Sequence, residues 1–160
     1  SWSLNPGPIV RGNEFLTAPL ADRLEGARLA VRAGYRVGFH FDPIIFRSGW
    51  ERIYGRLVER LFATVEPRDM AWISLGTFRF RPDLKPVIEN RFPENTILDG
   101  ELLIGFDGKL RYSEPVRHGI YRAMLDELGR HTKDVPVYLC MESSAMWKSL
   151  NMRMPRFRRE

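Results

Sequence analysis

The stretch Arg36-Val37-Gly38-Phe39-His40-Phe41-Asp42-Pro43 decides the fold. Its apolar residues predict a strand over 36–41 that ends at Asp42-Pro43. A helical pattern follows over 49–65, with one face formed by aromatic and leucine side chains: Trp50, Tyr54, Leu57 and Leu61. We interpret these aromatics as core packing rather than as a cofactor site. A strand followed by a helix is a βα unit, and such units form parallel sheets.

Similar units are predicted on both sides of this stretch. A helix opens at Thr17 as N-cap and runs to Gly34, with a buried stripe formed by Leu20, Leu24, Ala27 and Val31. The other predicted elements, in chain order, are strand 70–75, helix 82–91, helix 113–129, strand 135–141 and helix 144–151. The alternation of strands and helices predicts an α/β fold.

Residues 101–112 depart from this alternation. Two β-rich runs are joined by Asp107-Gly108, which predicts a β-hairpin with a two-residue turn. Four parallel strands are too few for a closed eight-unit barrel, which needs about 250 residues. The sequence therefore predicts half of a barrel or a small open sheet, with an unpaired strand edge near Ser1.

The composition predicts one domain in a reducing compartment. The chain has 160 residues, is 44% hydrophobic and has a single cysteine, Cys140. One cysteine supports neither a disulfide framework nor a cysteine ligand set for a metal, so no metal site is predicted here, and a cytoplasmic location is expected. No apolar run reaches the roughly 18 residues of a membrane span, so no membrane partner is expected.

The two ends of the chain carry separate predictions. The chain begins with Ser1 and with strand-like residues directly after it, so we expect it to be cut from something longer. The net charge is +5, and the basic tail 152–160 contains four arginines: Arg153, Arg156, Arg158 and Arg159. A basic chain favours a polyanionic partner such as DNA or RNA, although the tail could be only a solvated end.

Polar residues stand where the predicted parallel strands end. In parallel α/β folds this rim faces the ligand. The candidates, in chain order, are Ser3, Asn5, His40, Asp42, Thr77, Arg79, Glu142 and Ser143. The pairs Ser3/Asn5 and His40/Asp42 are two residues apart, so each pair points to one face of its strand. The alternatives are structural: Asn5-Pro6 as the start of a turn, and His40 as a satisfied histidine.

Three further residues could meet a nucleic acid. Arg79 stands between Phe78 and Phe80, which predicts a guanidinium on an aromatic platform, or else a plain surface arginine. Arg111 and Tyr112 on the hairpin could hold a phosphate and stack on a displaced base, or could belong to an ordinary surface ribbon.

Cys140 lies in an apolar run, which favours an inert buried thiol.

The sequence shows no motif for hydrolase or kinase chemistry. A Ser-His-Asp order, a phosphate-binding loop of Walker type, a His-x-x-x-His pair and a glycine-rich dinucleotide loop are all missing from it.

Six segments in order resemble the spore photoproduct lyase family. They are Ser3–Pro6, Gly34–Ile44, Gly49–Glu51, Ser74–Phe80, Gly108–Tyr112 and Val137–Ser143. Members of this family are radical S-adenosylmethionine (AdoMet) enzymes that repair a methylene-bridged thymine lesion in DNA. The resemblance implies that residues 1–151 form the C-terminal half of a partial (β/α) barrel. It also implies that a CxxxCxxC loop holding a [4Fe–4S] cluster lies upstream of Ser1.

The resemblance also implies roles for the candidate residues. Ser3 and Asn5 would contact AdoMet, and His40 and Asp42 would border it, although Asp42 replaces a small apolar residue of the family. The lesion and the DNA backbone would be met by four side chains: Arg79, Arg111, Tyr112 and Tyr138. No residue is assigned as catalytic, because the thiol that returns hydrogen in well-known members also lies in the missing half.

The resulting prediction is a carbon–carbon lyase that acts on the thymine photolesion of DNA. It would need AdoMet, an iron–sulfur cluster and an electron donor, and we expect it to be a monomer whose 160-residue fragment alone is inactive. Two alternatives remain open at this point. The chain could belong to a radical AdoMet enzyme with another nucleic-acid substrate, or to a non-catalytic nucleic-acid-binding module.

Overall fold

A computed structural model describes residues 1–153, and residues 154–160 of the predicted basic tail lie outside the described part. The strands are β1 Trp2–Ser3, β2 Val37–Ile44, β3 Met70–Thr77, β4 Arg79–Phe80, β5 Leu103–Ile104, β6 Leu110–Arg111 and β7 Val137–Leu139. The α-helices are α1 Gly7–Asn13, α2 Leu20–Arg32, α3 Trp50–Thr64, α4 Lys85–Arg91, α5 Glu114–Gly129 and α6 Ser144–Ser149. Short 3-10 turns cover Pro67–Asp69 and Pro82–Leu84.

The main sheet is parallel and has the order β1-β2-β3-β7. Helices fill the connections between its strands, which is the βα alternation that the sequence predicts. β2 continues past Asp42-Pro43 to Ile44, with a register shift between Phe41 and Ile44. Proline lacks an N–H and is tolerated in a strand at such an irregularity. The α/β half-barrel prediction is confirmed.

One face of this sheet is buried against helices. Phe39 and Phe41 of β2 and Ile73 and Leu75 of β3 are fully inaccessible to solvent. They belong to one core with the inward stripe of α3 and that of α5: Tyr54, Leu57, Leu61, Ile120, Met124 and Leu128. Because side chains alternate along a strand, the residues between them project from the opposite face.

The segment before α2 differs from the prediction. Residues Gly7–Asn13 form a helix that the sequence reading missed, and α2 begins at Leu20 rather than next to Thr17. The hydroxyl of Thr17 instead donates to the carbonyl of Glu14 at 2.9 Å. Proline at N1 or N2 starts α1 without any side-chain cap, so the usual sequence signal for a helix start is missing.

The hairpin is confirmed, but it is part of a larger sheet with a different turn. β4 pairs antiparallel with β6 as well, so the order is β4-β6-β5. The turn is not the two-residue Asp-Gly type: Gly105 N–H donates to the Lys109 carbonyl at 2.8 Å, and Gly108 N–H to the Gly105 carbonyl at 3.0 Å. Gly108, at φ 73°, supplies the left-handed residue of a three-residue loop.

Within residues 1–153, the helices are too short or too polar for any of them to cross a bilayer.

Candidate active site at the sheet rim

Four side chains form a row across the parallel sheet. The strand register pairs Ser3 with His40, His40 with Ser74, and Ser74 with Tyr138. By alternation they all stand on the face opposite the helix-packed core, which we call the open face. Ser3, His40 and Tyr138 were each named from the sequence, and the register now places them on one face. Ser74 completes the row and was missed.

His40 is held in place on the open face. Its Nδ1 lies 2.8 Å from the hydroxyl oxygen of Ser74. The ring also meets Trp72 edge-on, with 4.7 Å between the ring centroids, and Trp72 lies 5.7 Å from the ring of Tyr138. Trp72, Ser74 and Gly76 alternate along β3, and this period of two was the sequence signal that marks them as open-face residues. The predicted contact of His40 with a cofactor remains a prediction.

A cavity of about 460 Å³ lies beside this row, at the carboxyl ends of β1 and β2. Ser3, Asn5 and Asp42 all line it, so three of the four predicted cofactor residues share one hollow. Most of the remaining wall is apolar and includes Phe15 and Phe92, whose rings stack with 5.2 Å between centroids. A pocket with an apolar wall and a few polar groups is the common form of a small-molecule site.

Asn5 is buried at 2% exposure and already has protein partners. Its amide donates to Glu14 Oε1 at 2.7 Å, and its Oδ1 accepts from the Tyr54 hydroxyl at 2.6 Å. The Tyr54 hydroxyl oxygen in turn accepts from the Ile45 N–H at 2.9 Å. This chain of bonds fixes the orientation of Asn5 in the cavity wall, which is how preorganised sites hold their first contacts.

Glu14 and Arg23 support the cavity from behind. Arg23 Nη2 pairs with Glu14 Oε2 at 2.6 Å, and its Nη1 donates to the Ser3 carbonyl at 3.0 Å. The sequence reading missed both residues. Glu14 follows the unpredicted helix α1, and a supporting arginine inside an amphipathic helix has no sequence signature of its own.

Asp42 and Arg79 form a bidentate ion pair at the rim. Arg79 Nη1 and Nη2 lie 3.0 Å from Asp42 Oδ1 and Oδ2 respectively, and the two side chains are 12% and 19% exposed. Burial alone would lower the pKa of Arg79, but hydrogen bonding and the charge of Asp42 raise it overall. Gly76 makes the pair possible, since a Cβ there would stand 2.6 Å from the Asp42 carboxylate.

This ion pair corrects the environment that was predicted for Arg79. The guanidinium does not lie on an aromatic platform: Phe78 and Phe80 are buried on either side of it in sequence, and the arginine turns to Asp42. Alternation along the chain sends Arg79 to the opposite side from both phenylalanines. A contact of Arg79 with a lesion or a phosphate would first have to break the bond to Asp42.

Cys140 lies next to this ion pair, and we call Asp42, Arg79 and Cys140 the rim cluster. Its Sγ lies 3.4 Å from Arg79 Nη2, and the side chain is partly exposed rather than fully buried. Burial and the neighbouring Asp42 raise the pKa of the Cys140 thiol, against the opposing effect of Arg79. The thiol is therefore kept protonated in the neutral range, which agrees with the unreactive character expected for it.

Arg111 and Tyr112 do not project from the hairpin, so their predicted exposure is wrong. Arg111 is 2% exposed and Tyr112 is 3% exposed. Arg111 Nη2 lies 2.5 Å from Asp107 Oδ1, and the Tyr112 hydroxyl accepts from the Phe46 N–H at 3.1 Å. The physical reason is the pairing of β6 with β4 on one side and β5 on the other, which leaves β6 in the middle of its sheet.

Glu142 forms the centre of a buried charge network under the hairpin. Its Oε1 accepts from Arg117 Nε at 3.0 Å and from the Tyr121 hydroxyl at 2.9 Å, and Arg111 Nη1 stands 4.0 Å away. Burial, followed by the charge of Glu142, raises the pKa of Tyr121. The rim candidates Glu142 and Ser143 are thus structural, since Ser143 accepts the Met146 N–H as the cap of α6.

The described part of the chain contains no set of ligands for a metal ion or an iron–sulfur cluster. Residues 1–153 bring together no group of three His, Cys, Asp or Glu that could hold a metal ion. A larger hollow of about 570 Å³ lies between α3 and α5 and contains no rim residue. The rim residues Ser3, Asn5 and Asp42 line the smaller cavity instead.

The fold and the rim define a parallel α/β half barrel of the radical AdoMet type. The family model described as "Spore photoproduct lyase" matches residues 1–114. The chain therefore belongs to the spore photoproduct lyase family.

Individual relatives agree with this assignment. Spore photoproduct lyase of Bacillus subtilis is 36% identical over 104 residues, which cover 62% of this chain and 30% of that protein. The Geobacillus protein of the same name is 33% identical over 98 residues, or 60% of this chain and 29% of its own. The chain thus spans less than a third of these curated relatives.

Solved structures extend the match. Spore photoproduct lyase complexed with dinucleoside spore photoproduct superimposes with a TM-score of 0.75 at 28% identity, over 86% of this chain and 43% of that one. A mutant of that enzyme with bound AdoMet and the same dinucleoside also reaches 0.75, at 26% identity and the same coverage. The half-barrel geometry is thus that of an enzyme solved with both molecules.

Proposed function

We propose that this chain is part of a radical AdoMet lyase that repairs spore photoproduct, the methylene-bridged thymine lesion of DNA. One observation carries the proposal: the open-face row and the 460 Å³ cavity meet at the carboxyl rim of a half barrel. Relatives with this half barrel were solved with AdoMet and with the dinucleoside lesion. The chain covers less than half of those relatives, so the proposal concerns the longer protein.

The residues present suit AdoMet as a ligand. Ser3 is exposed at the cavity and Asn5 is oriented in its wall, while Asp42 offers a carboxylate that could accept from an ammonium or a ribose hydroxyl. When bound with a reduced cluster, AdoMet supplies a radical that abstracts hydrogen. The single cysteine of this chain cannot hold that cluster, so its ligands belong to the remaining part of the enzyme.

The chain's own contribution is to bind and orient. Ser74 and Trp72 fix the His40 ring at the centre of the row, and Tyr138 continues the same face beyond Ser74. A ligand beside Ser3 and a second ligand beside Tyr138 would therefore lie on one surface with His40 between them. Proximity of this kind lowers the entropic cost of a reaction between two bound molecules.

The proposal also includes an electron donor for the cluster, a monomeric enzyme and a cytoplasmic location. The electron donor follows from the chemistry of a reduced cluster, and the location follows from the low cysteine content, which suits a reducing compartment.

The test uses the reconstituted full-length enzyme with dinucleoside spore photoproduct. We expect thymine dinucleoside as the product, with a loss of about tenfold or more in kcat/KM for Ser3→Ala and for His40→Ala. Matched controls are Ser48→Ala and His118→Ala, which stand away from the open-face row and should stay within about twofold. Release of 5′-deoxyadenosine on undamaged DNA at the same rate would contradict the lesion assignment.

A further inference from the structure

We propose that His40 donates a hydrogen bond from its Nε2–H to a carbonyl oxygen of the pyrimidine substrate. Ser74 is the positioning residue, because it fixes the tautomer of the imidazole ring that makes this bond possible. The inference rests on the proposed function and deepens it, since it names the atom through which the open face binds the lesion. The ligand group is an oxygen acceptor, which a thymine ring provides in its carbonyl groups.

The hydroxyl of Ser74 decides which ring nitrogen of His40 carries the proton. Ser74 is fully buried, at 0% exposure, and its oxygen lies 2.8 Å from His40 Nδ1. Within residues 1–153 the Ser74 side chain has no other hydrogen-bond partner, and a buried hydroxyl without an acceptor is costly. The hydroxyl hydrogen therefore points to Nδ1, which accepts it. A neutral imidazole with an accepting Nδ1 carries its own proton on Nε2.

The Nε2–H of His40 is free to meet a ligand. Nε2 makes no hydrogen bond in the part of the chain that the structure describes, yet it is not buried, so it remains accessible from the open face. Trp72 contacts the imidazole edge-on, with 4.7 Å between ring centroids, while Ser74 holds Nδ1. These two contacts orient the ring before any ligand arrives. A donor that is already oriented loses little entropy on binding.

The open face beyond His40 has the composition of a site for a flat, oxygen-bearing ring. Trp72 and Tyr138 are both half-buried there, with 5.7 Å between their ring centroids and 57° between their planes. The Tyr138 hydroxyl is accessible and forms no hydrogen bond within residues 1–153. Unpaired bases are bound by aromatic side chains that contact the ring and by polar groups that reach its edge. A pyrimidine therefore fits this surface.

AdoMet also carries oxygen acceptors, but the position of His40 favours the substrate. The 460 Å³ cavity proposed for AdoMet is lined by Ser3, Asn5 and Asp42, and His40 does not belong to its wall. His40 lies one strand further along the row than Ser3, between the cavity and Tyr138. The Nε2–H therefore serves the second ligand on the open face rather than the carboxylate of AdoMet.

The experiment compares His40→Asn and His40→Gln in the reconstituted full-length enzyme. The amide nitrogen of glutamine reaches the position of imidazole Nε2, whereas that of asparagine reaches only the position of Nδ1. For His40→Asn we expect the Kd of dinucleoside spore photoproduct to rise about tenfold, and for His40→Gln to stay within about threefold of wild type. The Kd of AdoMet should stay within about twofold in both, which also shows that the variants are folded. His118→Asn on α5 is the matched control and should change neither Kd.

Ser74→Ala tests the positioning role. Loss of the hydroxyl lets the imidazole adopt either tautomer, so the Kd of the dinucleoside should rise about threefold. In the His40→Gln background the same change should have almost no effect, because the amide donor does not depend on Ser74. Nitrogen NMR of enzyme with isotope-labelled histidine should show a bare Nδ1 and a protonated Nε2 for His40, and a mixture of both tautomers in Ser74→Ala. Protonation at Nδ1 in the wild type would overturn the inference.

Two binding results would also overturn the inference. Weaker AdoMet binding with unchanged dinucleoside binding in His40→Asn would mean that the donor faces the cofactor. Equal weakening of dinucleoside binding by His40→Asn and His40→Gln would mean that the position of the donor does not matter. If wild-type enzyme binds the dinucleoside but leaves it intact, the proposed function fails, and the Kd values and the NMR spectrum alone decide the inference.

Discussion

The rim and the hairpin both place a charged side chain against a glycine, but they use the charge differently. At the rim, Gly76 makes room for Asp42, whose pair with Arg79 stays partly open beside a cavity. In the hairpin, Gly105 makes room for Arg111, which is buried, while the neighbouring Ile104 and Phe106 are exposed to solvent. The polar groups of the rim are therefore accessible to a ligand, whereas those of the hairpin bind other protein groups and stabilise the hairpin itself.

The largest effect is expected at the charge network that holds the hairpin from below. Replacing Glu142 by Gln leaves Arg111 and Arg117 buried without their shared carboxylate, which should lower the free energy of unfolding by about 3–5 kcal/mol. Urea denaturation of the full-length protein measures it. The exposed Glu101→Gln is the control and should cost less than about 0.5 kcal/mol. Equal stabilities for the two variants would show that the buried charges do not hold the hairpin.

The two glycines provide the next largest effect. Gly76→Ala and Gly105→Ala should each destabilise by about 1–3 kcal/mol, since the added methyl group displaces a paired charged side chain. Gly119→Ala is the control: nothing lies within 4 Å of its Cβ position on α5, so it should stabilise by up to about 1 kcal/mol. Denaturation midpoints measure all three. A neutral Gly76→Ala with a costly Gly105→Ala would mean that only the hairpin is tightly packed.

The smallest effect concerns the rim thiol. Asp42 helps to raise the pKa of Cys140 and Arg79 opposes it, so Asp42→Asn should lower that pKa and Arg79→Gln should raise it. Alkylation at pH 8, followed on the Cys140 peptide by mass spectrometry, should become faster in the first variant and slower in the second, each by less than about tenfold. Leu29→Ala serves as the reference. Shifts of the same sign in both variants would contradict the opposing roles of the pair.

The sequence was sufficient for the sheet and the rim because local pattern controls both. The rule that ligands meet the carboxyl ends of parallel strands picked out Ser3, Asn5 and Asp42, and these three residues line the cavity at that rim. The sequence did not reveal that Arg111 is buried, because the partners that bury it are distant along the chain. β4 lies about thirty residues before β6, and Glu142 lies about thirty residues after it. Burial of a charge depends on such partners, and a single sequence does not display them.

The helix α1 and its neighbour Glu14 were missed for a related reason. Pro6 caps α1 without a side-chain hydrogen bond, so the helix begins where the usual polar cap is absent. Glu14 becomes recognisable only once it is seen to bridge Asn5 and Arg23. The residues of the cavity wall could therefore be predicted from the sequence, but the role of Glu14 in fixing that wall could not.

The register of the main sheet also sets a length scale. Neighbouring strands lie about 4.8 Å apart, so the three steps from Ser3 to Tyr138 span about 14 Å of backbone. A molecule that touches Ser3 and ends near His40 leaves two of the three steps, about 10 Å, free for another. The open face of the sheet thus has room for two ligands side by side, and competition kinetics can determine the order in which they bind.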